Sequence, residues 1–280
     1  MSKKSLDFDI SIIIPFKDKA KMTLDCVQSL IKYSPGFKEI LLVSNHSKPE
    51  ELAKVSAFIK VYPNISLVEY NHSFHYQKMN NWAVRQTTGK FIMFLNNDTQ
   101  LNENSTDLLK NMYKKAQEPK VGVVGCLLLY GDERTIQHAG VYLMPQGLAE
   151  HLYVGKRYRN ALNGLKSIFP YSIRQDHPMT AVTGAVSLVE RKKYDSVSGF
   201  DERFIICGGD VDLCIRLNKA GYQTWYVGGG YILHKESQSR INKPIPYNDF
   251  YWSYLSYSTA FDSRVGDPFL SKVTKQMKVS

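Results

Sequence analysis

Phe91-Ile92-Met93-Phe94-Leu95-Asn96-Asn97-Asp98 is a run of five apolar residues that ends in two amides and a carboxylate. An apolar run with no polar alternation is the pattern of a strand covered on both faces, as in a parallel sheet. Working outward from it, the same kind of run recurs three times upstream, as Ile10-Ser11-Ile12-Ile13-Ile14 closed by Pro15, Ile40-Leu41-Leu42-Val43, and Ile65-Ser66-Leu67-Val68. Between these runs the apolar spacing turns helical. Met22, Cys26, Val27, Leu30 and Ile31 form one stripe, stopped by Ser34-Pro35-Gly36. Leu52, Val55 and Ile59 form another, opened by a Ser47/Glu50 capping box, and a third helix is expected around Met79–Arg85. This βαβαβαβ order predicts an α/β fold: a three-layer sandwich about a mostly parallel sheet with right-handed crossovers.

Beyond residue 100 the rhythm loosens. Leu108, Leu109 and Met112 predict a helix, and strands are expected near Val121–Val124 and Leu127–Tyr130. Residues 142–178 read as long loops. A strand over Ala181–Val189, a helix over Asp210–Ala220, and strands at Gln223–Val227 and Tyr231–His234 complete the pattern. No internal repeat or linker interrupts it, so one domain is expected.

Composition narrows the function classes. A chain of 280 residues, 43% hydrophobic and 22% charged, can bury a core without disulfides or a structural metal. Cys26, Cys126, Cys207 and Cys214 form no C-x-x-C pair, which excludes a zinc ribbon and predicts free thiols in a reducing cytoplasm. The first residues lack the apolar stretch of a secretion signal, and no run approaches the roughly 20 apolar residues of a spanning helix. A soluble or peripheral cytoplasmic protein is the expectation. The net charge of +10 predicts an anionic partner. Basic residues are dispersed and no reader motif is present, so that partner is not expected to be nucleic acid.

Ligands in parallel α/β sheets collect at the carboxyl ends of strands, where Asn96-Asn97-Asp98 falls. A carboxylate and an amide on alternate positions suit a hard divalent cation that bridges phosphates; an Asx turn capping the strand is the alternative. Asp210 and Asp212 precede a helical apolar pattern and lie near a helix N-terminus, either as chemistry or as a cap. His234 ends a short strand and is a candidate third metal ligand, with Lys235 and Arg240 placed to meet phosphate oxygens.

Taken together, Ser11-Ile12-Ile13-Ile14-Pro15, Phe94-Leu95-Asn96-Asn97-Asp98, Gly199-Phe200-Asp201-Glu202 and Gly209-Asp210-Val211-Asp212-Leu213-Cys214-Ile215-Arg216-Leu217 resemble glycosyltransferase family 2, nucleotide-sugar transferases of the GT-A fold. Thr135-Ile136-Gln137-His138-Ala139-Gly140 and His234-Lys235-Glu236-Ser237-Gln238-Ser239-Arg240 are similar to the branch found in bacterial O-antigen, capsule and rhamnan synthesis. The resemblance runs from about residue 10 to 270.

What it implies is specific. Residues 1–240 would form the GT-A domain, with a donor half to about residue 100 and an acceptor half beyond it. Residues 241–280 would be an extension packed on that domain or on a membrane surface. Asn96, Asp98 and His234 would hold Mn²⁺ or Mg²⁺. Pro15, Phe16, Ser44, Asn45, Asn97 and Arg240 would meet the nucleotide, and Asp210 would be the catalytic base. Asp212 and His138 would face the acceptor. Tyr142, Tyr153, Tyr158, Phe169 and Tyr171 would either stack on acceptor sugars or pack the loops.

The implied reaction is transfer with inversion from a nucleotide-diphosphate sugar to a hydroxyl of a cell-surface polysaccharide or lipid-linked glycan, at the inner face of the plasma membrane. Asn96, Ser44 and Gly209 stand where acidic residues are commoner in the family, and the alternative is a sugar- or nucleotide-binding module of the same fold. A sugar-nucleotide pyrophosphorylase would open with a glycine-rich phosphate loop; here Pro15-Phe16-Lys17-Asp18-Lys19 follows the first strand. On a helix, Leu270, Val273 and Met277, flanked by Lys272, Lys275 and Lys278, would make an interfacial membrane anchor; the alternatives are a frayed, solvated tail or a helix packed on its own domain.

Overall fold

The computed structural model describes residues 8–162, 172–235, 245–262, 264 and 266–270. In its first half, strands and helices alternate as β1 (Ile10–Phe16), α1 (Ala20–Tyr33), β2 (Glu39–Ser44), α2 (Pro49–Ile59), β3 (Ile65–Glu69), α3 (Tyr76–Val84) and β4 (Phe91–Leu95). There follow β5 (Thr99–Gln100), α4 (Ser105–Ala116), β6 (Val121–Tyr130), β7 (Ile136–His138), β8 (Val141–Met144) and β9 (Leu148–His151). The remainder is α5 (Tyr158–Leu162), β10 (His177–Met179), β11 (Val186–Glu190), α6 (Arg191–Ser196), α7 (Gly209–Lys219), β12 (Gln223–His234) and α8 (Tyr247–Tyr257).

One sheet carries the molecule, in the order β10-β12-β6-β11-β4-β1-β2-β3, with β5 also on β12 and β7 also on β6. β3, β2, β1 and β4 are mutually parallel, and β6 and β12 run the same way. β11 is antiparallel to both of its neighbours, and β10 to β12. The sheet is thus mostly parallel, as the apolar runs predict, and its carboxyl edge gathers the ends of β1, β2, β4, β6 and β12.

Alternate residues of each strand serve opposite layers. Ile12 and Ile14 of β1, with Leu42 and Leu95, meet Cys26 and Leu30 of α1 and Leu108 of α4 in one core. Ile13, Leu41, Val43 and Phe94 point the other way, onto Met79 of α3 and Val211 and Ile215 of α7. Each fully buried Ile or Leu of this kind contributes about 1.5–3 kcal/mol of transfer free energy, which holds the strand ends in fixed register.

Several local expectations are corrected. Lys48, not Ser47, is the N-cap of α2, with Pro49 as its first residue. The Ser47 hydroxyl instead accepts a 2.8 Å bond from the Asp18 amide. The two strands expected over 121–130 are one, and so are those over 223–234, where register shifts between Val227 and Ile232 absorb Gly228-Gly229-Gly230. Those glycines permit close approach: a Cβ at Gly228 would lie 2.4 Å from the Arg174 carbonyl carbon, and one at Gly230 would lie 2.3 Å from Asn104 O. The region read as loops contains the β8–β9 hairpin, α5 and β10. Tyr142, Tyr153 and Tyr158 pack against a third apolar cluster; Phe169 and Tyr171 lie outside the described residues. Leu270, which the sequence placed either on an anchor stripe or in packing against its own domain, is buried in that cluster, while the rest of the stripe lies outside the described residues.

Candidate active site

The end of β4 is turned by Thr99, whose amide and hydroxyl both donate to Asn96 O, at 3.2 and 2.7 Å. The turn delivers Thr99 and Gln100 onto β12, where Thr99 pairs with His234. Two residues 136 positions apart in sequence are thereby forced together: Asp98 Oδ1 lies 3.1 Å from His234 Nε2. The Asn96 amide nitrogen stands 3.4 Å from the same Nε2. The sequence offered a turn or a metal corner as alternatives at 96–98, and the backbone makes the turn in a way that brings these three side chains to one point.

Whether this corner suits a divalent cation is a question of donors. Asp98 Oδ1 and His234 Nδ1 are buried and have no hydrogen-bond partner among the described residues. Two ligands on adjacent corners of an octahedron with bonds of about 2.1 Å lie about 3.0 Å apart, close to the observed separation of Asp98 Oδ1 and His234 Nε2. A carboxylate, one imidazole and an amide fit Mn²⁺ or Mg²⁺ better than zinc. Among the described residues no cluster of three His, Cys, Asp or Glu side chains gathers, so most coordination positions would fall to phosphate and water. Cys26, beneath Asn96 and Thr99, is no ligand: burial pushes its thiol up to about 12.

Asp210 lies one peptide link away. It is the second residue of α7, behind Gly208, whose φ of 82° makes the entry turn. Its Oδ2 accepts a 2.7 Å bond from Gly184 N, and its Oδ1 a 2.9 Å bond from Val211 N. The next residue, Ala185, accepts from Asn96 N at 2.9 Å, so the segment 184–185 joins the carboxylate to the metal corner. Tyr76 donates its hydroxyl to Gly184 O at 3.3 Å. Burial first, then the negative charges of Asp210 and Asp98, raise its pKa, so the phenol stays protonated between the two carboxylates.

The β1–β2 edge is a preset rim. Phe16 and Ser44 are in register, and Asn45 N donates to Phe16 O. Asn45 spends its side-chain N–H bonds on Tyr70 O and His72 O, at 2.9 and 2.8 Å. Asn97 gives its own to Thr23 Oγ1 at 3.0 Å. Ser44 Oγ is buried without a partner among the described residues, and Pro15 is buried in β1. Asp18 accepts from Lys48 N at 2.8 Å, and Asp18, Lys19 and His46 all hold left-handed φ values of 52–54°. Such backbone is costly for non-glycine residues and persists where its surroundings dictate it.

Two expectations about the acceptor side fail. Asp212 is buried, with Oδ2 on Arg216 Nε at 2.7 Å and Oδ1 on Ser256 Oγ at 2.6 Å, so it ties α7 to α8. His138 is fully buried. Its Nε2 accepts from Gly140 N and Thr183 N at 3.3 and 3.5 Å, which leaves the proton on Nδ1, facing His151 Nδ1 at 3.1 Å. Burial holds His138 well below the usual imidazole range, with His151 and His234 adding to it. Arg240 lies outside the described residues.

Sequence reasoning missed α8. Asp249, 1% exposed, accepts three consecutive backbone N–H bonds from Ile205, Ile206 and Cys207 at 2.6, 2.9 and 2.9 Å. Tyr257 Oη donates to Gly208 O at 2.9 Å. Together these four bonds fix the loop that presents Asp210. Only an aspartate at the start of a helical segment hinted at them, and its partners lie more than 40 residues away.

Similarity to known proteins follows the same lines. The sequence model of glycosyl transferase family 2 matches residues 11–170. The chain is 36% identical over 263 residues to O-antigen biosynthesis protein RfbC of Myxococcus xanthus, covering 93% of this chain and 20% of that protein. It is 38% identical over 69 residues to the N-acetylglucosaminyl-diphospho-decaprenol L-rhamnosyltransferase of Mycobacterium tuberculosis, 25% of this chain and 22% of that one. It therefore spans about a fifth of the length of either relative. Among solved structures, GalNAc-T7 with UDP, GalNAc and Mn²⁺ superposes with a TM-score of 0.66 at 14% identity, over 90% of this chain and 50% of that one.

Proposed function

The chain belongs to glycosyl transferase family 2 and has the GT-A fold, and from that premise we propose that it transfers a sugar, with inversion, from a nucleoside-diphosphate donor to a hydroxyl of a growing polysaccharide or lipid-linked glycan. The observation that carries this reading is the joining of the Asp98–His234 corner to Asp210 through Gly184 and Ala185.

Asp98 and His234, with Asn96 beside them, would hold Mn²⁺ or Mg²⁺. When bound, the ion supplies Lewis-acid stabilisation of the departing diphosphate. The rim at Phe16, Ser44 and Asn45 receives the nucleoside, and its locked loops lower the ordering cost of binding. Asp210 accepts the proton of the acceptor hydroxyl as that oxygen attacks the anomeric carbon from the face opposite the leaving diphosphate. The new C–O bond forms as the bond to the phosphate oxygen breaks, through a transition state of oxocarbenium character. The Gly184 amide fixes the orientation of Asp210 through Oδ2, and Tyr76 steadies Gly184 from its carbonyl side.

A lipid-linked acceptor would bring the protein to the inner face of the plasma membrane through the acceptor itself; no described helix is long and apolar enough to cross a membrane. A panel of nucleotide sugars, assayed for donor hydrolysis and for transfer with and without Mn²⁺, tests the reading. Manganese-dependent turnover of one donor class is expected, and inactivity across the panel together with no nucleotide binding would remove it.

A further inference from the structure

Next to the metal corner, the turn after β6 and the segment leading into α5 enclose an open cleft of about 600 Å³, a size typical of ligand sites. Three arginines line it, Arg134, Arg157 and Arg159, together with the acidic Asp132 and Glu133 of the turn, which leaves the lining net positive. They stand on two backbone segments bound to each other. Tyr158 N donates to Arg134 O at 2.8 Å, and Thr135 bridges to Arg157. Among the described residues none of the three guanidinium groups forms a close ion pair with a carboxylate; Asp132, held low chiefly by its Thr135 hydrogen bond, feels the Arg134 charge only as the weakest influence. Asp132, at the turn, is occupied internally: it accepts from the amides of Arg134 and Thr135 at 3.0 and 2.9 Å and from the Thr135 hydroxyl at 2.6 Å.

The cleft adjoins the metal corner through the ends of β6 and β12. Tyr130, which ends β6, is in register with His234. Lys235 donates its amide to Asp98 O at 2.9 Å, and its side chain lies against Gly131, 3.5 Å from where a Cβ there would sit. A fourth cation thus stands beside Gly131 at the edge of the cleft. The β1–β2 rim starts three strands across the sheet from β6, about 14 Å at the usual strand spacing. A donor stretched from that rim to the metal corner would leave the arginine cleft vacant.

Guanidinium groups present paired N–H donors that match phosphate oxygens, and several of them on rigid backbone select for a multiply charged phosphate group. We propose that the Arg134–Arg157–Arg159 cleft is a second anion site, which takes the phosphate or diphosphate group of the acceptor while the donor diphosphate occupies the metal corner. The inference rests on the transferase reading: the site would place a phosphate-linked acceptor with its sugar hydroxyl toward Asp210.

Inorganic pyrophosphate titrated calorimetrically in EDTA tests the site apart from the metal. Wild type and Asp98→Ala should bind it alike, and the triple variant Arg134→Gln/Arg157→Gln/Arg159→Gln should bind at least about tenfold more weakly. All three side chains are exposed, so the triple variant should keep its melting temperature. It should also keep its affinity for UDP or GDP with Mn²⁺ within about twofold. Unchanged pyrophosphate binding in the triple variant overturns the proposal, and so does an equal loss of Mn²⁺–nucleotide binding, which would assign the arginines to the donor. Failure of wild type to bind any nucleotide with Mn²⁺ would instead undo the transferase reading, with the pyrophosphate result unaffected.

Vesicles separate the sources of phosphate. Arginine-dependent sedimentation with vesicles bearing a polyprenyl diphosphate, and not with phosphatidylglycerol vesicles of equal charge, is expected. Equal sedimentation with both would mean diffuse attraction to anionic surfaces and would overturn the acceptor assignment.

Discussion

The Gly184 amide lies 2.7 Å from Asp210 Oδ2 and donates to it. The bond fixes the carboxylate of α7 against the segment that also touches the end of β4. There is little room beside it, since a Cβ at residue 184 would lie 3.2 Å from the Asp210 Cβ.

If Asp210 is the base, Asp210→Asn retains an oxygen for Gly184 and a competent first turn of α7 but cannot take a proton. Turnover should fall by about 10²–10⁴-fold with nucleotide affinity unchanged, while the melting temperature drops slightly because the amide gives up the second acceptor, at Val211 N. Single-turnover transfer and calorimetry on the same preparation check it. A variant with wild-type rates would reduce Asp210 to a helix-end residue.

Asp249 is predicted to act through the loop it holds. Asp249→Ala leaves three amides without their acceptor and should lower stability by about 3 kcal/mol, read by urea denaturation, with turnover falling because Gly208 and Asp210 lose their fixed approach. A change below about 0.5 kcal/mol would mean that water replaces the carboxylate at no cost.

Acid should destabilise the fold through buried imidazoles. His177, buried and stacked on Tyr226 with ring centroids 4.8 Å apart, is lowered from 6.5 to about 4, chiefly by burial; His138 is also lowered. Below pH 6.5 the unfolded chain binds protons that the folded chain refuses. The stability is therefore intact above pH 6.5 and lost as pH falls toward 4, by up to about 3 kcal/mol for His177. His177→Phe, which keeps the stack, should reduce the pH slope between pH 6.5 and 4. An unchanged slope would show that His177 titrates normally.

The parallel half of the sheet was legible because buried strands announce themselves locally: β1, β2, β3 and β4 are apolar runs bounded by helical spacing. Less of the second half was. β12 looked like two strands because three glycines interrupt its pattern, and they are present because the Arg174 and Asn104 backbones pass close by. Ser47 and Glu50 had capping-box spacing, yet Pro49 sets the helix start and Ser47 turns to Asp18. At the site, the candidates Asn96, Asp98, His234 and Asp210 were named from strand ends, a helix start and family resemblance. Asp249 was not, because its role depends on loop amides distant in sequence. Asp212 misled because two acids near a helix start look alike, and only tertiary contacts show that Arg216 and Ser256 engage one of them.

The central claim is that Asp98 and His234 form one metal-dependent nucleotide site. Calorimetric titration of UDP and GDP in Mn²⁺ tests it most directly, with wild type, Asp98→Ala and His234→Ala compared with wild type in EDTA. Removing either ligand or the metal should weaken binding of the preferred nucleotide at least about tenfold, or about 1.4 kcal/mol. The double variant should lose little more than either single one, because each disables the same ion. Nucleotide binding that is equal in EDTA and in Mn²⁺, and untouched in both variants, would contradict the account.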